Sequence, residues 1–203
     1  MKKIFFLSIL HFALTGYILV SHVSIKKPEV STPLPAKIVY TRGSPEIVMP
    51  FTGGNDWFKK NKQFCNTLEI DTLMKKDPPP SNVEGRGYQA ACYILAARIE
   101  EADQIIMSVP QQSQAQAAGI VFNVGHPIAD SGDDKSAGPI MNLVLKYWPE
   151  NYQAVYHAGM SEFALKQYSE SKVHLKMFLT MYKNNDYFHQ TAVKTLERLD
   201  KEF

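Results

Sequence analysis

Asp130, Asp133 and Asp134 fall within five residues, beside Ser131 and Gly132, ahead of a helix expected from about Ser136. Clustered carboxylates with a glycine turn are the oxygen-rich chemistry that Ca2+ takes. The spacing is not that of an EF-hand, because no Glu stands at the twelfth position. The simpler reading is electrostatic: negative charge sits well at a helix N-terminus. We therefore assign no metal, and this acidic trio remains the one metal candidate.

Cys65 and Cys92 are 27 residues apart. In an exported domain they can pair, stapling a first helix to the first of the later ones; otherwise they are two buried thiols, and spacing alone does not choose. Neither has a nucleophile's surroundings, and no Cys-x-x-Cys pair is present. The six histidines show no His-x-x-x-His or Glu-x-x-His spacing: His11 and His22 lie near the N-terminus, while His126, His157, His174 and His189 are scattered. Zinc catalysis has no visible foothold. A phosphate-binding Gly-x-x-x-x-Gly-Lys loop, a Gly-x-Ser-x-Gly elbow and a Gly-x-Gly-x-x-Gly fingerprint are likewise missing. The expectation is no catalytic residue, no cofactor and no enzyme.

The elements that position these groups are read from composition and pattern. The chain has 203 residues, 45% hydrophobic and 21% charged, which suits one globular domain with a modest tail. Lys2, Lys3, Lys26 and Lys27 flank the first apolar run. With those four set aside, 18 basic residues face 20 acidic ones. No basic excess or stripe is left for nucleic acid.

Lys2 and Lys3 precede an apolar stretch that runs to about Val23. Some 20 residues at ~1.5 Å each reach ~30 Å, just enough to cross the hydrocarbon core. No Ala-x-Ala pattern precedes Ser21 or Ser24, so an uncleaved anchor is expected over residues 1–25, with a cleaved signal as the alternative. Either reading sends the rest of the chain out of the cytoplasm, membrane-anchored or secreted. Residues 26–54 hold five prolines and three glycines and read as a linker. Within it, Lys37–Thr41 and residues 46–49 can pair as an edge hairpin or add to a partner's sheet.

From residue 55 the periodicity is helical, so residues 55–203 are expected to be all-α. Trp57, Phe58, Phe64, Cys65, Leu68 and Thr72 keep helical spacing up to Pro78-Pro79-Pro80. Ser108 and Gln111 have capping-box spacing with Pro110 in the first turn.

Self-comparison shows a repeat. Ala102, Ala137 and Ser171 are small residues spaced 35 and 34 apart. Four after each stands Ile106, Met141 or Leu175, and seven after each stands Val109, Val144 or Phe178. Twelve before each stands Ala90, Gly125 or Gly159. Small residues where two helix backbones touch, and large apolar ones where pairs meet, are the signature of a helical solenoid.

These residues resemble the tetratricopeptide repeat. The third unit matches at Val155, Ala158, Gly159, Tyr168, Ser171, Leu175 and Phe178, and departs at Glu162, where Tyr is usual, and at Lys183, where Pro is usual. The second unit carries an unusual loop, residues 125–134, between its helices. The resemblance covers about residues 83–199 and implies roughly three helix pairs with a C-terminal capping helix. Cys65-Asn66, Pro78-Pro79-Pro80, Gly87-Tyr88, Ala91-Cys92-Tyr93 and the Ser136–Met141 segment also look like bacterial membrane-anchored tetratricopeptide proteins, which implies an envelope location and no chemistry.

The tetratricopeptide geometry places inner-surface positions at Gln153, Tyr156, Met160 and Phe163 in the third unit, and at Gly119, Phe122 and His126 in the second. Such a groove implies binding of another envelope protein or peptide, as an adaptor or assembly factor. Aromatic stripes at helical spacing also serve as internal packing, and that reading stands beside it. Self-assembly through stacked repeats and metal-dependent chemistry in the acidic loop are the alternative functions.

Overall fold

In a computed structural model, residues 37–41, 44–48 and 53–202 are described. The expected anchor and most of the linker lie outside them. Two short strands, β1 (Lys37–Thr41) and β2 (Ser44–Val48), pair antiparallel with Lys37 opposite Val48 and Thr41 opposite Ser44. The later elements are helices: α1 (Gly54–Asn61), α2 (Ile70–Lys76), α3 (Val83–Leu95), α4 (Ile99–Met107), α5 (Gln111–Asp130), α6 (Asp134–Tyr147), α7 (Tyr152–Ala164), α8 (Tyr168–Met181) and α9 (Tyr187–Glu202). The domain is all-α, and among the described residues no helix is long and apolar enough to cross a membrane.

Pairs α3/α4, α5/α6 and α7/α8 are joined by turns built alike. Each first helix ends with a residue of positive φ: Ala97 at 57°, Gly132 at 79° and Lys166 at 65°. At each, the same two backbone bonds close the turn. Ala97 N donates to Ile94 O and Arg98 N to Tyr93 O; Gly132 and Asp133 repeat this on Ala129 and Ile128; Lys166 and Gln167 repeat it on Phe163 and Glu162. This is the Schellman motif, which satisfies the carbonyls a helix end leaves open. The three turns are 35 and 34 residues apart, the same period as the small residues.

Those small residues sit where the helices of a pair touch. Ala102, Ala137 and Ser171 are fully buried, and so are Ile106, Met141 and Leu175. Ser171 Oγ donates to Gly159 O at 2.8 Å. A Cβ on Gly159 would stand 2.9 Å from Leu175, so the approach of α7 to α8 needs glycine there. One core cluster runs from α3 to α7 around Ile106, Val121, Met141 and Trp148. A second joins α7, α8 and α9 through Val155, Leu175, Phe178 and Leu199.

The N-terminal helices form a third cluster on α3, with Trp57, Phe58, Ile70 and Leu73. A disulfide joins Cys65 to Cys92 and ties this segment to α3. Buried Glu84 also binds it, accepting from Gly54 N at 3.0 Å and Asn55 N at 3.3 Å at the start of α1. A carboxylate at that end meets both orphan donors and the helix dipole.

Three local expectations fail, the first being the run from Trp57 to Thr72, which is broken because α1 ends at Asn61 and α2 begins at Ile70. The Ser108 hydroxyl donates to Ile105 O and closes α4, so it does not cap α5, which begins at Gln111 without a side-chain cap. The expected loop over residues 125–134 is helix as far as Asp130, and Pro127 lies inside α5. A proline there removes one ladder bond, yet packing of Gly125 against Ile140 holds that stretch on α6.

Candidate functional site

The run of α5 through Pro127 decides where the chemistry lies. His126 and Asp130 are four residues apart on a continuous helix, so they share a face. His157, from the middle of α7, meets them there. His126 Nε2 is 3.0 Å from His157 Nε2, and Asp130 Oδ1 is 3.6 Å from the first and 3.7 Å from the second. Phe122, one turn before His126, stacks on its ring at 4.8 Å, and Tyr156 packs edge-on to His157 at 5.3 Å. Burial, and then the neighbouring His126, push His157 down to about 4, so its ring is neutral near pH 7.

This trio forms one side of a cavity of about 330 Å3. Tyr152, Gln153 and Tyr156 of α7 line it, as do Phe178 of α8, Tyr182 just past its end and, at the entry to α9, Asp186 and Phe188. Tyr182 stacks on Phe178 and Tyr152, with ring centres 5.1 and 5.0 Å apart. Its hydroxyl donates to Asp186, whose other oxygen accepts from Phe188 N at 3.1 Å and His189 N at 3.2 Å. The bond from Tyr182, helped by those backbone donors, lowers the Asp186 carboxyl below its usual range. The cavity thus joins an aromatic wall to a polar end.

Of the expected groove residues, Gln153, Tyr156 and His126 line this cavity. Phe122 is buried beneath His126 and edge-on to Trp148, and Gly119 is also buried. Met160 and Phe163 are half-covered by α9: Thr195 Oγ1 approaches Met160 Sδ at 3.9 Å, and the Arg198 guanidinium lies 5.3 Å from the Phe163 ring centre. Tyr156 is 7% exposed, and burial raises its hydroxyl to about 12.

The acidic trio is divided among three tasks. Asp133 caps α6 by accepting from Ser136 N at 3.2 Å, as the helix-terminus reading expects. Asp134 accepts from Ser161 Oγ at 3.3 Å. Asp130 alone turns to the histidines. Tyr152, His157, Tyr182, Asp186 and Phe188 are missed by sequence reasoning. The i, i+4 spacing of His126 and Asp130 is a usable signal once α5 is known to continue; for His157 there is no local signal.

The chain matches no family model, no curated protein and no solved structure.

Proposed function

We propose that residues 53–202 form a tetratricopeptide-like module that recognises another envelope protein or peptide, one or two of whose side chains enter the cavity between α5, α7, α8 and α9. The N-terminal segment anchors it to a membrane and leaves the module outside the cytoplasm, as an adaptor or assembly factor. Recognition, and not bond-making, is its work, and nucleic acid has no part in it.

The observation that carries this reading is the cavity itself. Tyr152, Tyr182 and Phe188 offer broad apolar surface at low ordering cost, while Gln153 and Asp186 offer polar atoms to orient a backbone or side chain. The common period of the turns and of the buried small residues supports the repeat assignment. A disulfide between Cys65 and Cys92 fits an oxidising compartment.

Tyr156 is too deeply packed to test recognition cleanly, because its loss also disturbs the core. Gln153→Ala combined with Phe188→Ala is the better probe, since Phe188 is 45% exposed. Crosslinked co-purification of full-length protein from native membranes should yield a specific partner that disappears with the double variant, whose circular dichroism remains that of wild type. The same partners in both preparations would remove the cavity from recognition.

A further inference from the structure

The geometry points to a divalent transition-metal site formed by His126 Nε2, His157 Nε2 and Asp130 Oδ1, with Zn2+ as the fitting ion and its fourth position turned to the cavity. The separations of these three atoms, 3.0, 3.6 and 3.7 Å, are the first reason. An ion bound tetrahedrally at ~2.1 Å by nitrogen and oxygen ligands sets those ligands ~3.4 Å apart. A hydrogen bond accounts for only part of the arrangement. One imidazole can donate to the other, but the carboxylate oxygen stands too far from both nitrogens to accept from either.

Ligand chemistry is the second reason. Two imidazoles and a carboxylate suit Zn2+ and its first-row neighbours, whereas Ca2+ and Mg2+ prefer oxygen throughout. Aromatic contacts hold both rings in place: Phe122 lies flat on His126, and Tyr156 is set against His157. All three ligands also line the cavity, so a water or a donor from whatever enters it can complete the shell. Because two ligands come from α5 and the third from α7, a bound ion would bridge successive helix pairs. This site does not depend on the recognition reading, and metal binding and partner capture are measured separately.

The test is a Zn2+ titration of chelator-stripped, full-length protein in detergent, followed by calorimetry, with Co2+ as the optical probe. One equivalent of Zn2+ should bind at this site, and Co2+ should give the visible bands of four-coordinate geometry. Asp130→Asn, at an exposed position, should weaken Zn2+ binding by ~10-fold or more, and His126→Gln by ~100-fold. Circular dichroism shows whether each variant is folded. If His126→Gln is unfolded, Asp130→Asn decides alone. Stoichiometric binding absent from wild type, or an affinity in folded Asp130→Asn equal to that of wild type, would overturn the site.

Discussion

His174 Nδ1 lies 2.7 Å from Glu162 Oε2, joining α8 to a carboxylate buried on α7. The other oxygen, Oε1, is 3.4 Å from Asn142 Nδ2 on α6. Glu162 thus links three helices, α6, α7 and α8, through a polar network in place of apolar packing. A buried carboxylate that loses its partner is costly. His174→Ala should therefore destabilise the domain by about 2–3 kcal/mol in urea unfolding. The Glu162→Ala, His174→Ala double variant should fall short of the sum by about 1–2 kcal/mol. Strict additivity would mean the contact contributes nothing.

Ala97 and Lys166 hold positive φ at turns where Gly132 is the third member. A side chain in the left-handed region costs roughly 1–2 kcal/mol, part of which glycine returns to the unfolded chain's entropy. Ala97→Gly and Lys166→Gly should each raise stability by about 0.5–1 kcal/mol, while Gly132→Ala should lower it by about 1 kcal/mol. Thermal melts of the three variants check this; a loss in either glycine variant would refute it.

The Cys65–Cys92 disulfide closes a loop over a sequence separation of 27 residues. In the chain-entropy model that contributes about 3–4 kcal/mol. Cys65→Ser with Cys92→Ser should lower the melting temperature and open α1 and α2 to proteolysis first, because their core rests on α3. Unchanged melting and cleavage patterns would show that packing alone holds the segment.

Asp186 accepts from Tyr182 and from two backbone donors at the start of α9. Its folded pKa lies below the unfolded value, so the unfolded chain binds the proton more readily. The stabilisation is therefore complete above the ordinary carboxylate range near ~3.9 and is lost as pH falls through the folded value. Asp186→Ala should cost about 1 kcal/mol at neutral pH through the lost cap and flatten the acid limb of the stability curve. An identical acid limb in wild type and variant would rule this out.

The helical period, the small residues at 102, 137 and 171, and the hairpin from Lys37 are legible because each is set by short-range geometry. Side chains repeat with the turn of a helix or alternate along a strand, and close-packed backbones admit only small residues. The capping-box spacing at Ser108 misleads for a related reason: serine serves a C-terminal carbonyl as readily as an N-terminal amide, and only the position of the helix end distinguishes them.

Local pattern was enough for the all-helical domain and for the positions where helices of a pair must touch. Long-range packing settled the rest. Whether α5 passes through Pro127 depended on its packing against α6, and that passage put Asp130 beside His126. His157 joins them from 31 residues away, through the way α7 lies against α5. No local pattern encodes that meeting, because the register between packed helices is set by all the side chains interlocking between them.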